Sequence, residues 1–355
     1  MLFRSHGVYV SFDNGARWRS LSQNLPDVQV SDLVVETRDV VIATHGRSFW
    51  VLDNIAPLRQ LTAATLAGTE TRAVRLFEPA SAIRRVYAAD MDYQLTTRVD
   101  SVRIDVADGD GRLARSWRDG PRGPGVYRSS WDLRYTGATV FPGIVLEGGD
   151  PSRGMWAPPG RYQVRLTAYG PTGVVRAAQL LTVAKDPRLT DITDEDLRAQ
   201  FALAQRIRDK ESAANETVIR IRVIREQVRL RMARDTVGVA RNMSAPIVDA
   251  AALFVRNMND VEQAIYQVKN QSPKDKIAFP IRLNDRLTGL RSNLESGDER
   301  PTAAHQRVYL ELSHELDTQL GKLELALQRD LARLNSALRA AGLAPIVVPG
   351  RVPVT

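Results

Sequence analysis

Few side chains in this sequence are of types and spacings that could do chemistry. Asp13 lies in Ser11-Phe12-Asp13-Asn14-Gly15-Ala16-Arg17-Trp18, where it could act as a carboxylate catalyst or as the acceptor of a tight turn. His45-Gly46-Arg47 is a short link between two strand-like runs. An arginine there could grip a carboxylate through two parallel hydrogen bonds, so His45 and Arg47 form a candidate binding loop. Asp105, Asp108 and Asp110 offer oxygen ligands for a divalent cation. Gly111-Arg112-Leu113 breaks the calcium-loop pattern, and a hairpin turn at Asp108-Gly109-Asp110-Gly111 is the simpler reading. His305 and His314 are nine residues apart, which does not put them on one helix face at metal-ligand spacing. Arg220, Arg222, Arg225, Arg229, Arg231 and Arg234 could hold phosphate or anionic lipid, but arginines at such spacing also make a solvated face near a helix C-terminus. These residues imply no metal and no cofactor.

The spacing around Asp13 is S-x-D-x-G-x-x-W, the Asp-box or BNR repeat. Asp13 accepts backbone N–H groups of its own turn, as Asx-turns do. Ser11 belongs to the same turn, and Gly15 supplies a positive φ without a Cβ clash. Trp18 starts the return strand with a ring that packs under the turn. In this reading Ser11, Asp13, Gly15 and Trp18 are structural, and none is catalytic.

Composition narrows the function classes. The chain has 355 residues, 43% of them hydrophobic, enough for two or three domains with real cores. Net charge is +8, but only six residues are Lys and no segment is strongly basic, so nucleic acid is not an expected partner. Cysteine is absent, which excludes disulfides and cysteine-based metal sites. No run of about 18 apolar residues exists, so no transmembrane segment is expected. The nucleotide-binding loop, dinucleotide-binding, zinc-protease and nucleophile-elbow signatures are also missing.

The elements that must position these residues fall into blocks. Residues 1–62 read as short strands: Val8–Val10, Arg17–Leu21, Ser31–Thr37, Val40–Thr44 and Ser48–Asp53, with Leu58–Leu61 as a possible further strand. Phe49-Trp50-Val51-Leu52 is a continuous apolar run, which suits a strand buried on both faces. Residues 63–92 have no strong period and read as a linker. Residues 93–188 alternate, as at Val102, Ile104 and Val106, and predict an immunoglobulin-like β-sandwich with Trp131 in its core and an irregular loop at Phe141–Ala157. Residues 189–342 turn helical. Leu197, Phe201, Ala204, Ile207, Ala214, Val218, Ile221, Ile224, Val228 and Met232 recur at steps of three and four, interrupted by Glu211.

A second stripe runs through Val248, Ala252, Val255, Met258, Val261, Ile265 and Val268, with Ser244 as N-cap. A third has Leu283, Leu287, Leu290 and Leu294, and the last has Leu312, Leu316, Leu320, Leu323, Leu327, Leu331, Leu334 and Leu338, ending at Gly342. The matched lengths of the first and last helices predict a long antiparallel bundle or coiled coil. The Pro- and Val-rich tail 343–355 is expected to be loosely ordered.

Gly7 to Gly15 and the run Ala43-Thr44-His45-Gly46-Arg47-Ser48-Phe49-Trp50-Val51-Leu52-Asp53 resemble the end of bacterial sortilin-like BNR-repeat β-propeller proteins, a family often labelled glycosyl hydrolase. Trp131 to Tyr135 and Pro159 to Val164 resemble the immunoglobulin-like module that follows the propeller in that family, and Phe279 to Asn284 extends the similarity into the helical block. The resemblance implies a multidomain α+β chain made of partial propeller blades, an Ig-like sandwich and a helical bundle. It also implies that the chain is the C-terminal part of a secreted or envelope protein whose remaining blades lie upstream. The function it implies is non-catalytic binding of a protein, peptide or glycan, or scaffolding. The alternative is the accessory end of a glycoside hydrolase whose active site lies in the absent propeller; a nucleic-acid or membrane-surface binder is more distant.

Overall fold

The computed structural model describes residues 7–61, 72–171, 173–234, 244–272 and 274–350, with the backbone at 2–3 and position 67. The chain is mixed α+β, with several sheets and about five helices. It divides into two compact units: Met1–Leu133 with Pro159–Asp186, and Arg134–Pro158 with Pro187–Thr355.

In the first unit, β1 (Leu2–Phe3), β2 (Val8–Val10) and β3 (Arg19–Ser20) form one antiparallel sheet. β4 (Val30–Val35), β5 (Val40–Thr44) and β6 (Phe49–Leu52) form a second. Val8, Val30, Val40, Ile42 and Ile55 make their shared core, with Leu33, Trp50 and Leu52 packed against it. The strand expected at Leu58–Leu61 does not form. Ala56–Arg59 is a single helical turn instead, because Pro57 occupies one of its first two positions, where its fixed φ suits a helix and its missing N–H costs nothing.

The segment 63–92, which lacks a period in the sequence, carries β7 (Val74–Leu76), β8 (Ala82–Ile83) and the start of β9 (Ala89–Leu95). Residues 62–66 and 68–71 lie outside the described residues. Strands of two or three residues give no period to read. β9 pairs with β7 on one side and with β12 (Gly125–Trp131) on the other. The second sheet has the order β11-β10-β13-β14-β8, built from β10 (Ser101–Ala107), β11 (Leu113–Asp119), β13 (Gly160–Gly170) and β14 (Gly173–Ala184). Only β8 joins it parallel. The two sheets pack face to face, with Trp131 edge-on to Tyr162 at 5.2 Å between ring centroids. Val102, Ile104 and Val106 fill the space beside them, fully buried as their alternation requires.

In the second unit, α1 (Asp194–Arg234), α2 (Ala245–Ile265) and α3 (Leu283–Leu294) are followed by α4 (Ala303–Leu325), a π-helical turn (Ala326–Leu331) and α5 (Ala332–Ala340). The expected antiparallel pairing of the two long helices is overturned. Lys210 bonds Asp317 and, further along both helices, Arg220 bonds Glu324, so α1 and α4 run parallel. The descending helices are α2 and α3. Arg225 bonds Asn259 and Arg222 bonds Glu262, which sets α2 against the late part of α1, while Asn215 meets Asn284 and Glu211 meets Arg291, which sets α3 against the earlier part. One broken descending layer between two long ascending helices returns the chain parallel.

The α2 stripe is also out of phase with its expected start. Ile247, Ala251 and Phe254 are buried, while Val248 and Ala252 point outward. Two adjacent apolar rows compete there, and the row with the larger Phe254 ring is the one that packs. Ser244 occupies the N-cap but its side chain makes no capping bond. The tail is not loose where it is described: Ile346 is buried, and Asn335 and Gln227 hold the main chain of residues 346 and 347. Residues 351–355 lie outside the described residues.

Candidate functional site

The Asp13 turn has the local geometry its spacing requires. The Ser11 hydroxyl donates to Asp13 Oδ1 at 2.9 Å and accepts from Gly15 N at 2.7 Å, and Arg17 N donates to Asp13 Oδ1 at 2.8 Å. Asn14 and Gly15 take positive φ, 55° and 93°. Those bonds from Arg17 and Ser11 hold the Asp13 carboxyl below the usual carboxylate range. Trp18 packs beside the turn, since a Cβ at Gly15 would meet its ring at 3.8 Å, yet the side chain stays 40% exposed.

His45 and Arg47 lie exposed in the β5–β6 turn. The turn is fixed from its backbone: Thr44 Oγ1 donates to Ser48 O at 2.6 Å, Trp50 Nε1 donates to Arg47 O at 3.0 Å, and Gly46 takes φ 84°. The two side chains are therefore presented on a rigid platform. Beside it lies a larger feature. Cross-strand register puts Val34, Val41 and Val51 in one row, with Ala43 and Phe49 next to it, on the sheet face opposite Ile42 and Trp50. Phe49 is 74% exposed and Val51 60%. This sheet is apolar on both faces, one packed and one open.

The remaining candidates are placed apart from one another. Asp108 Oδ1 accepts from Asp110 N and Arg112 N, as a hairpin turn needs, while Asp105 takes bonds from Arg103 and Ser116. No group of three or more His, Asp or Glu side chains able to hold a metal occurs among the described residues. His305 closes a capping box: its N–H donates to Thr302 Oγ1, its Nδ1 accepts from Thr302 N at 3.2 Å, and its Nε2 lies 2.9 Å from Asn293 Oδ1. His314 is exposed on the same helix.

The arginine row of α1 is not simply solvated. Arg222 and Arg225 converge on the buried Glu262, Arg220 reaches Glu324, and Arg229 pairs with Glu226. Arg222 also lies over the Phe141 ring at 4.6 Å. The Arg234 side chain lies outside the described residues.

The most concentrated polar site went unread in the sequence. Glu211, the residue that interrupts the α1 stripe, is fully buried against Arg291 of α3, whose Nε donates to Glu211 Oε2 at 2.9 Å. The same guanidinium donates to the carbonyls of Arg153 at 2.8 Å and Asp150 at 3.2 Å. Asp285 accepts Gly148 N at 2.6 Å and Glu147 N at 3.0 Å, and Glu295 accepts Trp156 N at 2.9 Å. Thr139 is held by Ser212, Asn215 and Glu216. Segment 134–158 has no regular secondary structure of its own, and these helix side chains satisfy backbone groups that would otherwise be buried unpaired.

Desolvation pushes Glu211 up to about 7, against the pull of Arg291. In the first unit, Asp92 is a smaller counterpart. Arg128 Nε and Asn54 Nδ2 each donate to it at 2.9 Å, and burial raises its pKa. An acidic residue inside an apolar stripe requires a buried cation, and that was the available signal for Glu211. Nothing in the sequence indicated that the cation is Arg291.

Among the described residues no helix is long and apolar enough to cross a membrane. No family model and no curated protein matches the chain. Among solved structures, an engineered protein from a structural genomics consortium is 18% identical over 31% of this chain and 20% of its own, with a TM-score of 0.20. A chain called pT26-6p is 10% identical over 75% of this chain and 49% of its own, with a TM-score of 0.17. The present chain thus spans about a fifth and about half of those two lengths, and likeness at this level carries no weight for fold or function.

Proposed function

We propose that this chain is a non-catalytic binding or scaffolding region of a secreted or envelope protein of the sortilin-like BNR-repeat type. In this reading β1–β6 are propeller strands and the two face-to-face sheets are an Ig-like sandwich. The observation that supports it is the sheet β4-β5-β6, apolar on both faces with Val34, Val51 and Phe49 open to solvent. A sheet stacked between two others in a radial array has that character, whereas a terminal sheet facing water alternates polar and apolar. The partner for the open face is another sheet of the same repeat. His45 and Arg47, at the rim of that face, are the side chains offered to a peptide or glycan carboxylate.

Sedimentation velocity on the chain at rising concentration tests the reading. The open face drives self-association in place of its missing neighbour, and Phe49→Lys with Val51→Lys abolishes association while leaving the melting temperature within about 2 °C, since exposed substitutions outside a core change little. A large loss of stability in that variant would mean the face is internal to this chain. Turnover of aryl glycosides by the chain itself would overturn the non-catalytic reading.

A further inference from the structure

The outer face of the five-stranded sheet gathers arginines. Val102, Ile104 and Val106 of β10 point into the sandwich, so Arg103 and Asp105 point out. Register puts Arg118 of β11 opposite Arg103 on one side and Thr167 of β13 on the other, with Arg176 of β14 beyond Thr167. The next row along the same face is Ser116, Asp105, Arg165 and Ala178. Four guanidinium groups thus stand on two adjacent rows with one carboxylate among them.

That carboxylate is already engaged. Asp105 Oδ1 accepts from Arg103 Nε at 2.8 Å and from Ser116 Oγ at 2.6 Å. Arg118 lies over the Tyr169 ring at 5.1 Å. Arg165 Nε donates to the uncharged Gln163 Oε1 at 2.6 Å, and neither Arg165 nor Arg176 has a carboxylate partner among the described residues. Like charges directly opposite one another destabilise a sheet, and Arg103 and Arg118 are so placed. Arg165 is diagonal to both Arg103 and Arg176, a spacing of about 7–8 Å that such long side chains can bridge. The core of the sandwich does not need this arrangement, because the four arginines lie outside it. Arg103, Asp105, Arg165, Thr167, Tyr169 and Arg176 line a shallow depression of about 420 Å³.

We propose that this depression binds an acidic polysaccharide, whose carboxylate or sulfate groups are gripped by Arg103, Arg165 and Arg176. The guanidinium fork matches the paired oxygens of such groups. The strip from Arg118 to Arg176 crosses four strands, about 14 Å at the usual spacing, which suits an extended chain charged at intervals. A small ligand would be enclosed, and this site is open. A peptide would add to a sheet edge through its main chain, and this is a face of paired strands. Tyr169, the aromatic ring of the depression, is taken by Arg118, which leaves no platform for stacked bases. The site stands on a different sheet from the His45–Arg47 turn and does not rest on the propeller assignment.

Fluorescence anisotropy on the full chain tests it, with a labelled polyuronate, a labelled dextran sulfate and labelled single-stranded DNA of matched charge. Saturable binding of polysaccharide is expected, tighter than that of the DNA, and the tighter of the two polysaccharides identifies the anion. Arg165→Gln with Arg176→Gln should weaken that binding roughly tenfold, while the melting temperature holds or rises as repulsion on the sheet is relieved. Arg198→Gln with Arg229→Gln removes the same charge from exposed positions of α1 and should change the affinity by less than about twofold. Equal losses in the two double variants would mean attraction by net charge alone and would overturn the site. So would DNA binding as tight as that of either polysaccharide, or the absence of saturable polysaccharide binding at low salt.

Discussion

Arg291 Nε donates to Glu211 Oε2 at 2.9 Å in a setting closed to water, and the outer nitrogens of the same guanidinium reach the carbonyls of Arg153 and Asp150. One side chain therefore neutralises a carboxylate on α1 and fixes an irregular segment drawn from between β12 and β13. Arginine suits this task because its planar fork stays charged and directs its donors two ways at once.

Replacing Arg291 with Met should be among the most damaging single changes in the second unit. It leaves Glu211 buried without its cation and takes a donor from the carbonyls of Arg153 and Asp150, a loss of about 3–5 kcal/mol by analogy with other broken buried pairs. Chemical denaturation measures it. The double variant Glu211→Met with Arg291→Met should recover a substantial part of the loss, because the uncompensated charge goes with it.

Titration of Glu211 gives stability a pH signature. Its folded pKa is raised from 4.5 to about 7, so the stability it contributes is complete below pH 4.5 and is lost as pH rises through 7. Glu211→Gln removes that titration. Melting temperature across pH 5 to 8 should fall less steeply for the variant than for the native chain, and a steeper fall would contradict the assignment.

Two glycines at the same contact should behave oppositely. A Cβ at Gly148 would lie 2.6 Å from Asp285 O and Gly289 N, both main-chain atoms that cannot yield. Gly148→Ala should therefore destabilise by about 1–3 kcal/mol, as overpacking does. A Cβ at Gly289 would meet only Gly148 Cα at 3.6 Å, an ordinary contact within α3. Gly289→Ala should be neutral or stabilising by up to about 1 kcal/mol, the difference in helix propensity. Thermal unfolding of both variants checks the contrast.

The start of α4 should depend on its capping box. Thr302→Ala removes the acceptor for His305 N and should cost about 1 kcal/mol. Asn293→Ala, which removes only the contact to His305 Nε2, should cost less. The order of the two melting temperatures is the test.

The periodic elements were the legible ones. The alternation of Val102, Ile104 and Val106 and the leucine ladder of α4 and α5 follow from periods of two and of three to four residues, and the structure buries them all except Leu320, which is half-buried. The Asp13 turn was legible because its whole logic lies within eight residues. Helix direction was not, since matched lengths say nothing about how many layers intervene, and α2 and α3 together form one descending layer. The clamp on 134–158 was not legible either. Its donors and acceptors lie 73 to 141 positions from the backbone they satisfy, and an irregular segment carries no period to announce a partner.

Native-state hydrogen exchange tests most directly the claim that 134–158 belongs to the helical unit. The amides of Gly148 and Trp156, bonded to Asp285 and Glu295, should exchange as slowly as those in the middle of α1 and should accelerate with them in Arg291→Met, while amides of β10 and β13 keep their native rates. The contradicting result is Gly148 and Trp156 exchanging with the β10 and β13 amides, or exchanging fast in the native chain.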